Sequence, residues 1–310
     1  MAEFKTDILI IGSGPAGCSA GIYASRAGLS ALIVSGDQIG GQLIAADMVE
    51  NYCGFDTPIS GADLSTKMQK QAENLGVKFV FDTINEVDFA NRPFVCSSGR
   101  NSFVSKAVII ATGASSQWLG LKNEKELIGR GVSTCATCDG FFYKGKNVAV
   151  IGGGNAAIKE AIFLTSVAAN VTVIHRRGNL RADKIEQERA FANRKIKFEW
   201  DSVAEELIAD GEPETLRGIK IKNLKTDEEK IINVDAVFLA IGHKPNTDIF
   251  KRFLELDDKG YIVTKGGDCR TNIEGVFAAG DVKNPKFRQA IVSAGSGCIA
   301  ALQAEEFVNR

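Results

Sequence analysis

The chain has 310 residues and a formal net charge of −1, with 37 basic and 38 acidic side chains. This balance excludes a general electrostatic attraction to nucleic acid or to an anionic membrane. With 45% hydrophobic residues the composition is that of an ordinary globular protein, and the length predicts two domains, each able to bury a core.

The N-terminal residues 1–7 mix charges before a short apolar strand, so they predict neither a secretory signal nor a membrane span. The seven cysteines are spread over the whole chain, whereas a secreted disulfide scaffold is shorter and denser in cysteine. We therefore expect a cytoplasmic protein in which most cysteines are small buried hydrophobic residues.

The first motif is a glycine-rich turn between a strand and a helix. The apolar run 7–11 predicts a buried parallel strand, and Gly12-Ser13-Gly14-Pro15-Ala16-Gly17 follows it and opens an Ala-rich helix. In G-x-G-x-x-G the first glycine makes the turn, the second lets the backbone approach a pyrophosphate, and the third allows close helix–strand packing. Because a helix N-terminus also favours phosphate, the stretch predicts a dinucleotide site.

The second strand, 31–34, lacks the acid that usually follows it and binds a ribose hydroxyl. Ser35-Gly36-Asp37 stands there instead, so either Ser35 or Asp37 takes that role. Next we predict a second glycine turn at 40–43, a helix from 61 to about 75, a strand at 77–81 and an antiparallel insertion at 84–106. The strand 107–113 ends in Ala111-Thr112-Gly113, whose small side chains permit close approach of a ligand.

Two thiols, Cys135 and Cys138, are separated by two residues and followed at once by the carboxylate of Asp139. Such a pair predicts a disulfide that opens and closes, with the thiolate as the reactive form. The alternative is half of a zinc site, but there is no second C-x-x-C, and His175 and His243 are the two histidines. We therefore predict a redox pair and no metal, with a structural role for His243.

The pattern of strand, glycine-rich turn and helix then occurs a second time. A strand at 147–151 leads into a G-x-G-x-x-A turn at 152–157, a helix to about residue 168 and a strand at 171–174. His175-Arg176-Arg177 and then Arg181 follow, where an NAD site would carry an acid. Because the planar guanidinium group of arginine can form paired hydrogen bonds with a 2′-phosphate, we favour NADP over NAD. The alternative is that these arginines form a solvated basic surface. The run 235–242 repeats the pattern of 107–113.

The last part returns to the first copy. A strand at 273–281 ends in Gly280-Asp281, where a carboxylate can accept a ribityl hydroxyl, and Arg288-Gln289-Ala290 opens a helix to about residue 307. We predict an α/β fold of two Rossmann-like dinucleotide-binding domains, the second inserted in the first. Domain one covers about 1–115 and 247–310, and domain two about 117–244.

These motifs together resemble the low-molecular-weight thioredoxin reductases of bacteria. The resemblance rests on 12–17, 40–43, the C-A-T-C-D-G-F-F run at 135–142, 152–155, 175–177 and 278–281. It implies a thioredoxin-disulfide reductase, a homodimer with thioredoxin as partner, FAD in domain one and NADPH in domain two. It also implies that Cys138 faces the flavin, that Cys135 attacks the partner disulfide and that Asp139 is the acid–base group.

The resemblance also implies the cofactor contacts. Those to FAD are Gly12, Ser13, Gly14, Pro15, Ala16, Ser35, Gly41, Gln42, Leu43, Asn51, Ala111, Thr112, Gly113, Gly280, Asp281, Arg288, Gln289 and Ala290. Those to NADPH are Gly152, Gly154, Asn155, Ala156, His175, Arg176, Arg177, Arg181, Ile241 and Gly242. Two departures from the family pattern are Lys159 beside Glu160, where acids are common, and Ser35-Gly36 in place of the ribose acid.

Some interpretations stay open. Phe141 and Phe142 belong either to the core or to a hydrophobic surface that binds the partner, and Arg130 either contacts thioredoxin or is a solvated charge. The dithiol and the NADPH site both belong to domain two, and both must reach the same flavin. We therefore predict that this domain rotates about the crossings at 113–117 and 243–247. The alternatives in function are another NADPH-dependent flavin dithiol-disulfide oxidoreductase, with a small or different protein substrate, and a non-catalytic nucleotide-binding module.

Overall fold

A computed structural model of the chain describes residues 2–46 and 48–310, so Met1 of the N-terminal run lies outside the described residues. The helices are α1 (Pro15–Arg26), α2 (Gly61–Asn74), α3 (Ala136–Asp139), α4 (Asn155–Leu164), α5 (Lys184–Ala192) and α6 (Ala290–Val308). The strands are β1 (Ala2–Ile11), β2 (Ala31–Val34), β3 (Lys78–Val80), β4 (Glu86–Asp88), β5 (Phe94–Ser97), β6 (Asn101–Ile110), β7 (Ala114–Ser116), β8 (Val132–Ser133), β9 (Asn147–Ile151), β10 (Asn170–Ile174), β11 (Ile196–Glu199), β12 (Ser202–Asp210), β13 (Thr215–Asn223), β14 (Glu229–Asn233), β15 (Ala236–Leu239), β16 (His243–Pro245) and β17 (Val276–Ala278).

The chain forms two compact units. Unit 1 is Met1–Ser115 with Lys244–Arg310, and unit 2 is Ser116–His243, so the second unit interrupts the first in sequence. The chain crosses between the units at β7 and β16, which pair with each other. The observed boundaries lie within a few residues of those predicted, while the cofactor of each unit remains a prediction.

Unit 1 is built on one sheet in the order β3-β2-β1-β6-β5-β4, with β17 also paired to β6. The strands β1, β2, β3, β6 and β17 run parallel, while β5 and β4 are antiparallel to their neighbours. β1 and β6 are entirely apolar over their last four residues, as expected for strands buried on both faces. The predicted insertion at 84–106 therefore extends the main sheet, because β6 is one continuous strand.

The helices α1 and α6 pack together against one face of this sheet. Their approach requires glycine: a Cβ on Gly297 would lie 2.9 Å from the carbonyl carbon of Ala16. The turn before α1 is equally tight, since Gly12 has φ +112° and a Cβ there would lie 2.7 Å from the carbonyl carbon of Ala111. The glycines therefore fix α1 against the sheet and place its N-terminus at the carboxyl end of β1.

Unit 2 contains a five-stranded parallel sheet in the order β11-β10-β9-β15-β8, with α4 packed on the buried apolar side chains of β9 and β10. A separate three-stranded antiparallel sheet, β12-β13-β14, covers the opposite face. This second sheet was not predicted from the sequence. Within the described part of the chain, every helix is too short or too polar to cross a membrane.

Candidate active site

The strands of unit 1 bring their carboxyl ends together at one edge of the sheet. Ile11 at the end of β1 is in register with Val34 of β2 and with Ile110 of β6, and Ile110 is in register with Ala278 of β17. The predicted turns at 12–14, 35–37, 111–113 and 280–281 begin at or close to these positions. The edge where parallel strands end is the usual ligand-binding edge of such a sheet, so these segments form one candidate site.

The two glycine turns of unit 1 lie against each other. The Ser13 hydroxyl donates to the Ser35 carbonyl at 3.0 Å and accepts from the Gly40 N–H at 3.2 Å, and it is buried. A Cβ on Gly41 would lie 3.5 Å from the Cα of Gly14. The 40–43 turn is therefore held over the start of α1 by a buried hydroxyl.

These turns fit the pyrophosphate of a dinucleotide. The N-cap of α1 is Gly14, and no side chain caps the helix, so its first N–H groups are not satisfied by a cap. Among the described residues, a Cβ on Gly14 would have one neighbour within 4 Å, the Gly40 carbonyl oxygen at 3.8 Å, and a Cβ on Gly113 would have none. An anion can therefore approach the backbone here without meeting a side chain from these positions.

Asp281 and the start of α6 lie at the same edge. The Ser293 hydroxyl donates to the Asp281 carboxylate at 3.0 Å, and burial raises the pKa of that carboxyl. The Asn51 amide donates to the side-chain oxygen of Gln289 at 3.2 Å. The segment 50–52 is thus joined to the N-terminus of α6, as a shared site requires.

The two candidates for the ribose contact have different surroundings. The Ser35 hydroxyl donates to the Gly36 carbonyl at 3.0 Å, and the residue is buried. Asp37 is exposed and accepts from the Thr83 hydroxyl at 2.5 Å. Either group would have to share or exchange its partner to bind a ribose hydroxyl.

The glycine turn of unit 2 is built from three glycines with different surroundings. Gly152 has φ +146°, and a Cβ there would lie 2.6 Å from the Ala240 carbonyl oxygen. A Cβ on Gly153 would lie 2.6 Å from Cγ of His175, whereas a Cβ on Gly154 would meet nothing within 4 Å. Gly154 is also the N-cap of α4, which no side chain caps. The turn therefore fits a second pyrophosphate at Gly154.

The basic segment after β10 divides into a buried part and an exposed part. His175 is buried, its Nε2 lies 3.1 Å from the Asn179 carbonyl oxygen, and burial lowers its pKa. The side chains of Arg176, Arg177 and Arg181 are exposed, and the ion pairs of the described residues include none of the three. The arginines thus present guanidinium groups to solvent, while the buried His175 ring packs against the turn at Gly153.

The other residues of this unit that were predicted to contact NADPH lie in the first turn of α4 and after β15. Asn155 and Ala156 are exposed in the first turn of α4, and the Asn155 side chain is bonded to Asp183. Ile241 and Gly242 follow β15 and are partly buried, and the Gly242 carbonyl accepts from the Gln117 N–H at 3.0 Å.

Cys135 and Cys138 form a disulfide at the start of α3, and both residues are partly exposed. The Asp139 carboxylate accepts from the Ser133 hydroxyl at 2.6 Å, and the same hydroxyl oxygen accepts from the Cys135 N–H at 3.0 Å. Ser133 is buried, so one inflexible hydroxyl orients both the carboxylate and the first cysteine. Since both cysteines are partly exposed, the disulfide can exchange with an outside thiol.

Ser133, which bonds both Asp139 and Cys135, was missed by sequence reasoning. A serine two residues before a cysteine is common, and no spacing rule connects it with Asp139. The available signal was its position at the end of the short strand β8, which enters the helix carrying the disulfide.

The aromatic residues after the dithiol are exposed. Phe141 keeps 58% and Phe142 44% of its surface accessible, so neither belongs to the core. Lys144 lies over the Phe141 ring, with its Nζ 5.9 Å from the centroid. Arg130 is exposed and donates to the Glu126 carbonyl. The segment that follows the disulfide therefore presents two apolar rings and the basic side chain of Lys144 to solvent.

A protein-family model described as pyridine nucleotide-disulphide oxidoreductase matches residues 6–297. The thioredoxin reductase of Rickettsia bellii (strain RML369-C) is 51% identical over 309 residues, covering 99% of this chain and 100% of that protein. Among solved structures, the thioredoxin reductase from Giardia duodenalis is 38% identical with a TM-score of 0.93, covering 99% of this chain and 100% of that one. That of Streptococcus pyogenes MGAS5005 is 39% identical with a TM-score of 0.92, covering 98% of each chain.

These matches confirm the resemblance drawn from the motifs, and the predicted fold of two dinucleotide-binding domains. The chain belongs to the pyridine nucleotide-disulphide oxidoreductases and, within that family, to the thioredoxin reductases.

Proposed function

We propose that the chain reduces the disulfide of oxidised thioredoxin with NADPH, through FAD and the Cys135–Cys138 pair. The observation that carries the proposal is the partly exposed disulfide, which lies in the same unit as a glycine turn and three arginines that form no ion pair with any described residue. Membership of the thioredoxin reductases supports the choice of thioredoxin over a small disulfide substrate.

Each cofactor is assigned to one unit. The turns at Gly14 and Gly41, together with Asp281, would hold FAD in unit 1, and the turn at Gly154 with the arginines would hold NADPH in unit 2. Bound FAD supplies the two-electron step between the nicotinamide and the disulfide. The protein residues then bind the phosphates through backbone N–H groups and guanidinium forks, which are suited to anions.

The thiol chemistry follows from the arrangement around α3. Two electrons and a proton convert the disulfide into one thiol and one thiolate. The Cys135 thiolate attacks one sulfur of the thioredoxin disulfide, and the displaced thioredoxin sulfur takes up a proton. Cys138 then loses its proton and attacks Sγ of Cys135, and the released thioredoxin sulfur takes up that proton. Thioredoxin thus leaves with two thiols and the Cys135–Cys138 disulfide is restored. Asp139, oriented by Ser133, would exchange protons with the departing sulfur, a role worth roughly 10²–10⁴ in rate.

The exposed rings of Phe141 and Phe142 would form the contact with thioredoxin. Two apolar rings beside a disulfide supply surface to bury on binding, and aromatic residues commonly dominate protein interfaces. Arg130 would add a charge at the edge of this contact, where it affects the association rate more than the affinity.

Three further properties belong to the proposal. The dithiol and the NADPH turn share unit 2, so the unit would reorient about the crossings at β7 and β16 to present each in turn to the flavin. The protein would be a homodimer and would act in the cytoplasm. A cross-link that immobilises unit 2 against unit 1 should stop turnover with thioredoxin, and light scattering should give twice the chain mass.

The test of the function is a steady-state assay of the purified yellow protein with oxidised thioredoxin as acceptor. NADPH should support turnover far better than NADH, and the C138S variant should lose thioredoxin reduction. A protein that reduced a small disulfide with NADPH but left thioredoxin oxidised would favour the alternative of another dithiol-disulfide reductase. A colourless protein that could not be reconstituted with FAD would refute the proposal.

A further inference from the structure

Asn155 and Asp183 form a reciprocal pair of hydrogen bonds in unit 2. The Asn155 side-chain N–H donates to the Asp183 carboxylate at 3.0 Å, and the Asp183 backbone N–H donates to the Asn155 side-chain oxygen at 2.7 Å. Asn155 is the first residue of α4, directly after the glycine turn. The pair therefore joins the proposed pyrophosphate turn to the end of the arginine segment 176–181.

Asp183 is placed to cap a different helix but does not do so. It is the N-cap of α5, where an aspartate side chain commonly accepts from an N–H of the first turn. Here the helix has no side-chain cap, because the carboxylate is directed to Asn155 instead. The Asp183 carboxylate thus links α4 to the arginine segment 176–181 and does not cap α5.

The segment itself is fastened on both sides of Arg181. The Arg181 N–H donates to the Gly153 carbonyl at 2.7 Å, and the flanking Leu180 and Ala182 are buried. The Gln187 side chain donates to the Ala182 carbonyl at 2.7 Å. These contacts fix the backbone of Arg181 relative to the glycine turn, while its guanidinium remains exposed.

We propose that Asn155 and Asp183 are positioning residues that set the distance between the pyrophosphate turn and the 2′-phosphate arginines. The inference rests on the proposed use of NADPH. Both polar side-chain atoms of Asn155 are hydrogen-bonded to Asp183. The inference therefore assigns Asn155 a role through Asp183 and not a contact with the nucleotide. The pair would accordingly determine the preference for NADPH over NADH, because only NADPH spans the turn and the arginines.

The test compares D183A with D183N. In D183N the side-chain oxygen can still accept from Asn155 and the backbone N–H is unchanged, so the connection survives although the charge is lost. Binding of 2′,5′-ADP and of 5′-ADP to the oxidised protein is measured by calorimetry. We expect D183A to bind 2′,5′-ADP about 3- to 10-fold more weakly than the parent protein, with 5′-ADP little affected and D183N close to the parent.

Steady-state kinetics provide a second readout. In D183A the KM for NADPH should rise by the same factor, about 3- to 10-fold, while kcat and the KM for NADH stay unchanged. N155A should weaken the binding of 2′,5′-ADP as D183A does, and the double variant should lose no more affinity for 2′,5′-ADP than either single one. D210A is a matched control, since Asp210 is an exposed carboxylate of unit 2 that bonds Arg217. It should bind both nucleotides like the parent, and melting curves report whether each variant is folded.

The outcomes separate this inference from the proposed function. If the parent protein does not prefer 2′,5′-ADP over 5′-ADP, the assignment of NADPH is wrong. If the parent has that preference and D183A keeps it, the positioning role alone is overturned. Equal changes in D183A and D183N would also overturn it, because the charge of Asp183 and not its hydrogen bonds would then be responsible.

Discussion

Gly153 and Gly154 are neighbours, yet replacing each by alanine should have opposite consequences. A Cβ on Gly153 would lie 2.6 Å from Cγ of His175, far inside van der Waals contact. A Cβ on Gly154 would meet nothing within 4 Å, and its φ of −94° is open to any residue. The first glycine is therefore required by the fold, and the second by the proposed ligand.

The size of the Gly153 effect follows from how firmly His175 is held. The ring is 4% exposed, and its Nε2 lies within hydrogen-bonding distance of the Asn179 carbonyl, so it has little freedom to move away. Overpacking at such a site lowers the free energy of unfolding by about 1–3 kcal/mol. For a unit of this size that corresponds to a fall in Tm of about 4–12 °C. G154A should instead be as stable as the parent or slightly more so, since Gly→Ala at a compatible position stabilises by about 0.4–1 kcal/mol.

Thermal melting and 2′,5′-ADP calorimetry on both variants check the reasoning. G153A should melt at lower temperature, whereas G154A should keep its Tm but bind 2′,5′-ADP at least about tenfold more weakly, because its methyl group occupies the approach to the turn. An unchanged Tm for G153A would show that His175 is not held as described. Undiminished nucleotide binding by G154A would show that the phosphates do not approach the turn there.

Three other predictions concern the dithiol and the pH dependence of stability. C138S should still allow NADPH to bleach the flavin absorbance but should abolish thioredoxin reduction, and turnover equal to the parent would refute its role. S133A, which removes the 2.6 Å hydrogen bond to Asp139, should lower kcat with thioredoxin about tenfold and leave flavin reduction by NADPH unchanged in stopped-flow traces; an equal fall in both would indicate general damage. The hydrogen bond from Lys106, followed by that from Ser30, lowers the pKa of Asp7 from 3.8 to about 2, so its stabilising effect is complete above pH 3.8 and is lost as pH falls towards 2. Urea unfolding should therefore show D7N less stable than the parent at pH 7, with the difference shrinking between pH 4 and pH 2, whereas a constant difference would contradict the assignment.

Sequence alone predicted the parallel strands and glycine turns because both have strong local signals. The apolar runs of β2 and β9 were placed at 31–34 and 147–151, the bounds that the structure has. Helix ends were less certain: α4 was expected to reach about residue 168 and ends at Leu164, since the apolar residues beyond it also suit a buried turn.

The antiparallel sheet of unit 2 was missed although β13 alternates apolar and polar residues over part of its length. Leu216, Ile219 and Ile221 are buried, but Gly218 interrupts the pattern and β12 has two shifts in register. Contacts between distant side chains were equally out of reach. Nothing in the spacing of Gly153 and His175, or of Asn155 and Asp183, indicates that they touch, because their contacts depend on how β9, β10 and α5 pack.

The exposure of side chains was also undetermined by the sequence. Phe141 and Phe142 were left between core and surface, and the structure places both at the surface. His175 was grouped with the neighbouring arginines, yet it is buried, because its ring packs against the glycine turn at Gly153.

In the proposed mechanism, electrons reach thioredoxin through the Cys135–Cys138 pair. Alkylation of the FAD-loaded protein under anaerobic conditions, followed by mass spectrometry of the peptide containing both cysteines, measures this directly. Both thiols should become alkylated after addition of NADPH, and should be protected again once excess oxidised thioredoxin is added and itself gains two thiols. A peptide that stays disulfide-bonded while NADPH is consumed and thioredoxin is reduced would contradict the account.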